Sequence, residues 1–153
     1  ERRLLSSDAA AGIGLLGQYY HDSQFTTLAT VRVDAQVAFD WAAGSPDPLI
    51  SSDSFSVRWS GQIEARTTGE VSFHVLADDG ARLWVNGQLL IDQLESPTVN
   101  TSRAIHFVAG RRYDICLEHR EQTGNASIRL EWSSPTQARQ AIPATSLFPS
   151  ERG

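Results

Sequence analysis

Apolar and polar residues alternate along most of this chain. In residues 57–64, Val57, Trp59 and Ile63 fall on one side, with Arg58, Gln62 and Glu64 on the other. Val71, Phe73 and Val75 alternate with Ser72 and His74. Tyr113, Ile115 and Leu117 alternate with Asp114, Cys116 and Glu118, and Ile128, Leu130 and Trp132 with Arg129 and Glu131. Period-two patterning of this density predicts strands with one buried face. Helical spacing is not sustained over any comparable window.

Turn residues fall between these runs. Asn86-Gly87 separates Leu83-Trp84-Val85 from Leu89-Leu90-Ile91, and both residues of the pair tolerate positive φ, so a tight hairpin is predicted. Thr68-Gly69, Asp79-Gly80, Ala109-Gly110 and Gly124-Asn125 punctuate the other runs. The expected fold class is all-β: an antiparallel sandwich or barrel of roughly ten strands with little helix. Residues 43–54 hold Gly44, Pro46 and Pro48 and are expected to form a surface loop, and a short helix or turn is expected near 135–139. Residues 1–12 lack a β pattern and are expected to be a linker or tail, 13–150 the domain, and 151–153 a tail.

Composition narrows the function classes. A chain of 153 residues with 41% apolar and 20% charged residues suits one globular domain. The net charge of -5 and the scattered basic residues argue against a nucleic-acid partner, which needs clustered Lys and Arg. No apolar run approaches the roughly 18 residues of a membrane helix, so no membrane insertion is expected. Cys116 is the single cysteine, which excludes an internal disulfide. It lies on a strand face with Asp114 and Glu118, whose charges oppose a reactive thiolate. Methionine is absent even at position 1, and the chain is expected to be a monomeric module of a larger multidomain protein.

Several separated motifs resemble one family. Leu15-Leu16-Gly17-Gln18-Tyr19-Tyr20 is similar to the opening strand of PA14 domains, and residues 55–63 to their Trp-bearing strand. Gly69-Glu70-Val71-Ser72-Phe73, followed by residues 77–87 and Leu90-Ile91-Asp92, resembles the family's most specific block. Leu130-Glu131-Trp132-Ser133, Ile142-Pro143 and Leu147-Phe148-Pro149 resemble its closing segment. The motifs occur in the expected order across about residues 13–149. The resemblance implies a β-barrel-like sandwich used as a module in adhesins, glycosidases, anti-sigma factors and toxin subunits. In sugar-binding members, two adjacent acids joined by a cis peptide chelate Ca²⁺, which ligates vicinal sugar hydroxyls. The matching residues here are Asp78 and Asp79. A second loop supplies further ligands. Counting from Tyr113, Glu121 stands where those members tend to present Asn, and Asn125 is the alternative if the loop aligns differently.

The residues themselves leave two readings of the acid pair. Neighbouring side chains on an extended trans strand point to opposite faces, so sharing one ion demands a turn or a cis bond. Ca²⁺ suits clustered carboxylates because it takes several oxygen ligands and keeps exchangeable positions. The plainer reading is that Asp79-Gly80 makes a simple turn while Asp78 caps a backbone amide.

Other side chains add less. Trp84 lies opposite Leu83 and Val85, where it can stack on a sugar ring or pack a second sheet; packing is the commoner fate of an aromatic in a two-sheet fold. Trp59 and Trp132 share faces with aliphatic residues and are assigned to the core, while Trp41 precedes the Pro-rich loop as a candidate rim aromatic. His21, His74, His106 and His119 lie on separate segments without zinc-ligand spacing. No nucleophile elbow or phosphate loop occurs, and adjacent acids are badly placed to flank a glycosidic bond. Asn100-Thr101-Ser102 and Asn125-Ala126-Ser127 match the short glycosylation acceptor motif.

The expected function is therefore a non-catalytic, Ca²⁺-dependent carbohydrate-binding module of an extracellular or cell-surface protein. Asp78, Asp79, Glu121 and Asn125 are the candidate metal ligands, and Asp78, Asp79, Glu121, Gln122 and Trp84 the candidate carbohydrate contacts. A shallow site of this kind implies about millimolar affinity. The competing expectation is a structural or protein-interaction module without a sugar ligand.

Overall fold

The structure, a computed structural model, describes residues 11–151, with the backbone alone for Thr98. The expected linker and tail therefore lie mostly outside the described residues. Gly12 does not behave as linker: its N–H donates to the Thr145 carbonyl at 2.9 Å. The N–H groups of Ile13 and Gly14 both donate to the Leu147 carbonyl, at 2.9 and 3.0 Å.

The alternating segments form two antiparallel sheets, with strands numbered in chain order. One sheet runs β2 (Leu28–Asp34), β1 (Leu15–Tyr20), β4 (Phe55–Glu64), β10 (Arg112–Glu121), β6 (Gly80–Val85), β7 (Gln88–Gln93), and β13 (Leu147–Pro149) adds to β4. The other runs β12 (Gln137–Ala141), β11 (Ala126–Ser134), β5 (Gly69–Asp78), β8 (Thr98–Thr101), with β3 (Ala38–Ala42) on β11 and β9 (Ile105–Phe107) on β5.

The all-β expectation holds, with 13 strands among the described residues where roughly ten were expected. The surplus consists of short pieces such as β9 and β13, which are 3 residues each and too brief to show a period. Near residues 135–139 the chain turns at Pro135-Thr136 and enters β12, so no helix forms there. The sequence of β12, Gln-Ala-Arg-Gln-Ala, has little strand propensity; pairing with β11 decides its conformation. Asn86 and Gly87 have φ of 53° and 76°, and Val85 pairs with Gln88, so the predicted two-residue hairpin is present.

The inward residues of both sheets form one core. Val57, Trp59, Leu83 and Leu117 come from the first sheet; Phe73, Val75, Ile128 and Leu130 come from the second. Trp59 and Trp132 are buried as expected. A charged group, the Asp34 side chain, is buried beside them. The Asp34 carboxylate accepts from Tyr19 Oη, from Trp59 Nε1 at 2.8 Å and from Arg32 Nε at 2.8 Å. Burying that charge is tolerable because three donors surround it. Arg32 also donates to the Pro46 carbonyl at 3.2 Å, and buried Ile50 pins the same surface loop.

Candidate metal centre

The chain passes from one sheet to the other between β5 and β6, and the passage is a single residue, Asp79. The peptide bond from Asp78 to Asp79 is cis. Gly80 follows and has no room for a side chain: a Cβ there would lie 2.1 Å from the Leu94 carbonyl oxygen. The β7–β8 loop is thus packed directly on the corner.

Strand β10 brings the third acid. Arg120 pairs with Gly80 on one side, and Glu121 pairs with Phe55 on the other. Glu121 follows Ile115, Leu117 and His119 on the inward face, so the end of an apolar stripe is a carboxylate. Ligand atoms of Asp78, Asp79 and Glu121 all lie within 4.8 Å of one another. Glu121 is 0% exposed, and among the described residues neither carboxylate oxygen has a hydrogen-bond partner.

The electrostatics record this crowding. Burial, then the charges of Asp79 and Asp78, push the Glu121 carboxyl up to about 8. The nearby Asp79 amide offsets part of that rise without reaching hydrogen-bonding geometry. Asp53, from the loop before β4, adds a smaller upward push. Asp78 is also raised, by burial first and then by the Asp79 carboxyl beside it. Three carboxylates facing one another, one of them stripped of water and partners, form a hard-oxygen donor set of the sort that suits Ca²⁺.

Neighbouring loops are stitched around the corner by one residue. The Gln122 N–H donates to Asp79 Oδ2 at 2.9 Å, and its carbonyl accepts from Ser54 N at 3.0 Å. With its amide oxygen turned to the guanidinium, the Gln122 side chain accepts from Arg120 Nε at 3.1 Å and Nη2 at 2.6 Å. Arg120 also donates from Nη1 to Glu95 at 2.7 Å.

Beneath the acids lies a residue that sequence reasoning set aside. His119 is fully buried, with its ring 6.1 Å from Trp41 and 6.3 Å from Phe55 between centroids. Its Nδ1 donates to the Gly80 carbonyl at 3.1 Å, and Nε2 has no partner among the described residues. Burial pulls its pKa down to about 4, so the ring is neutral. The available signal was a polar residue at an inward position two before Glu121. Zinc spacing was the wrong question to ask of it.

The remaining candidates lie apart or at the edge. Trp84 is half-buried and faces away from the core, opposite Cys116, with Arg82 over its ring at 5.4 Å. The expectation that it packs a second sheet is corrected: Leu83 and Val85 take the inward positions. Trp84 is four positions from Gly80 along β6, about 13 Å, so it does not join the acids. Asn125 is exposed, just before β11 begins and two residues before Ser127, the register partner of Asp78. Trp41 is half-buried against the core rather than free on the rim. Cys116 has its thiol pushed up to about 11, by burial first and then by Glu118, so it is a poor nucleophile at neutral pH. Among the described residues, no helix is long and apolar enough to cross a membrane.

Comparison with known proteins agrees with this architecture. The sequence model of the PA14 domain matches residues 13–146. The chain is 42% identical over 141 residues to the anti-sigma-I factor RsgI3 of Acetivibrio thermocellus, covering 92% of this chain and 22% of that protein. It superposes with a TM-score of 0.89 on the solved structure of an anti-sigma factor domain-containing protein, at 40% identity over 93% of this chain and 49% of that one. A PA14 sugar-binding domain from an RTX adhesin gives a TM-score of 0.74 at 17% identity, covering 92% and 99% of the two chains, a likeness of fold. The chain thus spans about half the solved anti-sigma structure and about a fifth of the curated anti-sigma relative.

Proposed function

This chain belongs to the PA14 domain family, and we propose that within it the chain is a Ca²⁺-dependent carbohydrate-binding module. One observation carries the reading: a fully buried Glu121, whose two oxygens lack partners among the described residues, has ligand atoms within 4.8 Å of those of Asp78 and Asp79. Leaving a buried carboxylate unpaired is costly, and a divalent cation relieves both that cost and the repulsion among the acids.

Asp78, Asp79 and Glu121 would hold the ion, with carbonyls and side chains of residues 122–125, Asn125 included, completing its sphere. When bound, Ca²⁺ supplies exchangeable positions that vicinal sugar hydroxyls can fill. The protein's own part is to fix the acids. The Asp79 corner joins two sheets, Gly80 admits the β7–β8 loop, and Gln122 ties Asp79 to the loop that carries Asp53. The described residues present no nucleophile beside a base in this corner, so the activity proposed is binding.

Related PA14 domains include a sugar-binding adhesin domain, which supports a glycan or polysaccharide as the partner. The 42% identity with an anti-sigma-I factor favours a place in a longer signalling protein that displays the module outside the cell, over a place in an adhesin.

The test is calorimetric titration of Ca²⁺ into metal-free protein, with glycan retention measured in Ca²⁺ and in chelator. Saturable Ca²⁺ binding that Asp78→Asn abolishes, with retention lost in chelator, supports the proposal. Absence of any Ca²⁺ effect on melting or retention overturns it and leaves the protein-interaction module.

A further inference from the structure

A groove of about 290 Å³ lies on the outer face of the second sheet, where β3, β11 and β5 run side by side. Leu76 and Ala38 contribute its apolar surface; Asp40, Ser127 and Arg129 contribute its polar groups. The groove begins at the acid corner. Ser127 is the register partner of Asp78, and paired positions on antiparallel strands lie about 5 Å apart. Leu76 stands two residues before Asp78, on the same outward side of β5, because Val75 and Ala77 take the inward positions.

From this placement we infer that the groove is a second subsite, holding the neighbouring sugar ring of a neutral oligosaccharide whose end is held at the acids. This deepens the Ca²⁺-dependent sugar-binding reading and rests on it. A pyranose or furanose ring has an apolar face and a polar edge, and the groove offers both. The half-buried Leu76 side chain and the outward Ala38 methyl meet the C–H face. Asp40 accepts from the Ala42 amide with Oδ1 at 3.0 Å, which leaves Oδ2 to accept from a hydroxyl. Arg129 gives Nε to Glu131, and its terminal nitrogens make no hydrogen bond among the described residues, so they can donate to hydroxyl oxygens. One acid and one base cancel across the groove, which matches an uncharged ring. The outward row that runs from Asp78 past Ser127 and Leu76 is continuous, so a chain can leave the metal along it.

The experiment compares ring number at constant chemistry. Methyl glycosides of glucose, galactose, mannose, xylose and arabinose are titrated in Ca²⁺ against the 153-residue chain, each beside its linear neutral tetrasaccharide. For the sugar that binds, the tetrasaccharide is expected to bind about tenfold more tightly, the gain of two good hydrogen bonds. The ratio of the two affinities is expected to fall toward one in Asp40→Asn combined with Arg129→Gln, and again in Ser127→Tyr, which fills the groove. A ratio near one in the wild type overturns the second subsite and leaves single-ring binding at the acids standing. A tenfold ratio that persists in both variants also overturns it and moves the second ring elsewhere. Failure of every methyl glycoside and tetrasaccharide to bind, with Ca²⁺ present, overturns this inference together with the reading beneath it.

Discussion

His119 Nδ1 donates to the carbonyl of Gly80 at 3.1 Å, directly after the two acids of the sheet-to-sheet corner. A carbonyl can only accept, so the proton sits on Nδ1; Nε2 is without a partner among the described residues, in a ring packed beside Trp41 and Phe55. His119 is therefore a positioning residue, acting through Gly80 on Asp79. Replacement His119→Phe should weaken Ca²⁺ binding about tenfold, the scale seen when a group behind a metal ligand is lost. His119→Asn, whose amide nitrogen reaches a place like that of Nδ1, should restore much of it. Calorimetry on both variants, with melting in chelator as the control for fold, checks this. Equal loss in both would sink the positioning role.

Protonation of Glu121 makes metal-free stability depend on pH. Its carboxyl titrates near 4.5 when unperturbed and near about 8 in the fold. Between those values the folded state holds the extra proton on Glu121, so this group's contribution to stability falls as pH rises and levels off above about 8; buried His119, lowered from 6.5 to about 4, contributes in the opposite sense below 6.5. Ca²⁺ competes with that proton, so the melting gain from Ca²⁺ should grow over the same window. Melting curves from pH 7 to pH 8, above the range in which His119 takes up a proton on unfolding, should diverge between chelator and Ca²⁺ as pH rises. Glu121→Gln should flatten the chelator series, melt higher at pH 8 without metal, and lose the Ca²⁺ response. A chelator series rising through this window would contradict the account.

Gly80→Ala should damage the corner from within. The added Cβ would lie 2.1 Å from the oxygen and 2.3 Å from the carbon of the Leu94 carbonyl. Backbone has to move, and overpacking of this sort costs about 1–3 kcal/mol. Urea unfolding should register that loss, together with weaker Ca²⁺ binding because Asp79 is the adjacent residue.

Asp34→Ala tests the core away from the acids. It strands Tyr19 Oη and Trp59 Nε1, both buried donors, and releases Arg32 from one of its anchors. Each orphaned buried group costs about 1–3 kcal/mol, so a loss of about 3 kcal/mol in urea unfolding is expected. Asp34→Asn should recover part of it, since an amide oxygen still accepts.

Much of the fold was legible because burial and strand period coincide. Val57, Trp59, Ile63, Phe73, Leu117 and Leu130 all face inward as their spacing requires. Asn86-Gly87 announced its hairpin through backbone preference alone. The acid pair was visible as adjacent residues, and Glu121 only through the family resemblance, as the position matched by counting from Tyr113. Short edge strands were not legible, because three residues carry no period and β12 takes its conformation from its partner. Trp84 was misassigned because both faces of β6 carry large apolar side chains, and only the sheet's position shows which one is inward. The need for glycine at position 80 depends on Leu94, a contact between segments that pattern reading does not connect.

The hydrogen bonds of Gly12, Ile13 and Gly14 to Thr145 and Leu147 have a mechanical consequence. Leu147 pairs with Ile63 and Pro149 with Gly61, whereas Phe55, at the other end of β4, pairs with Glu121. Gly61 stands six positions from Phe55 along β4, about 20 Å. Both ends of the folded chain are thus moored on the half of the sandwich remote from the acids. Tension applied through the flanking chain is carried by β1, β4 and β13, and it bypasses the corner where a ligand would sit. A module hung this way can be pulled, strung in series or crowded at its base while its far tip stays open to the surroundings.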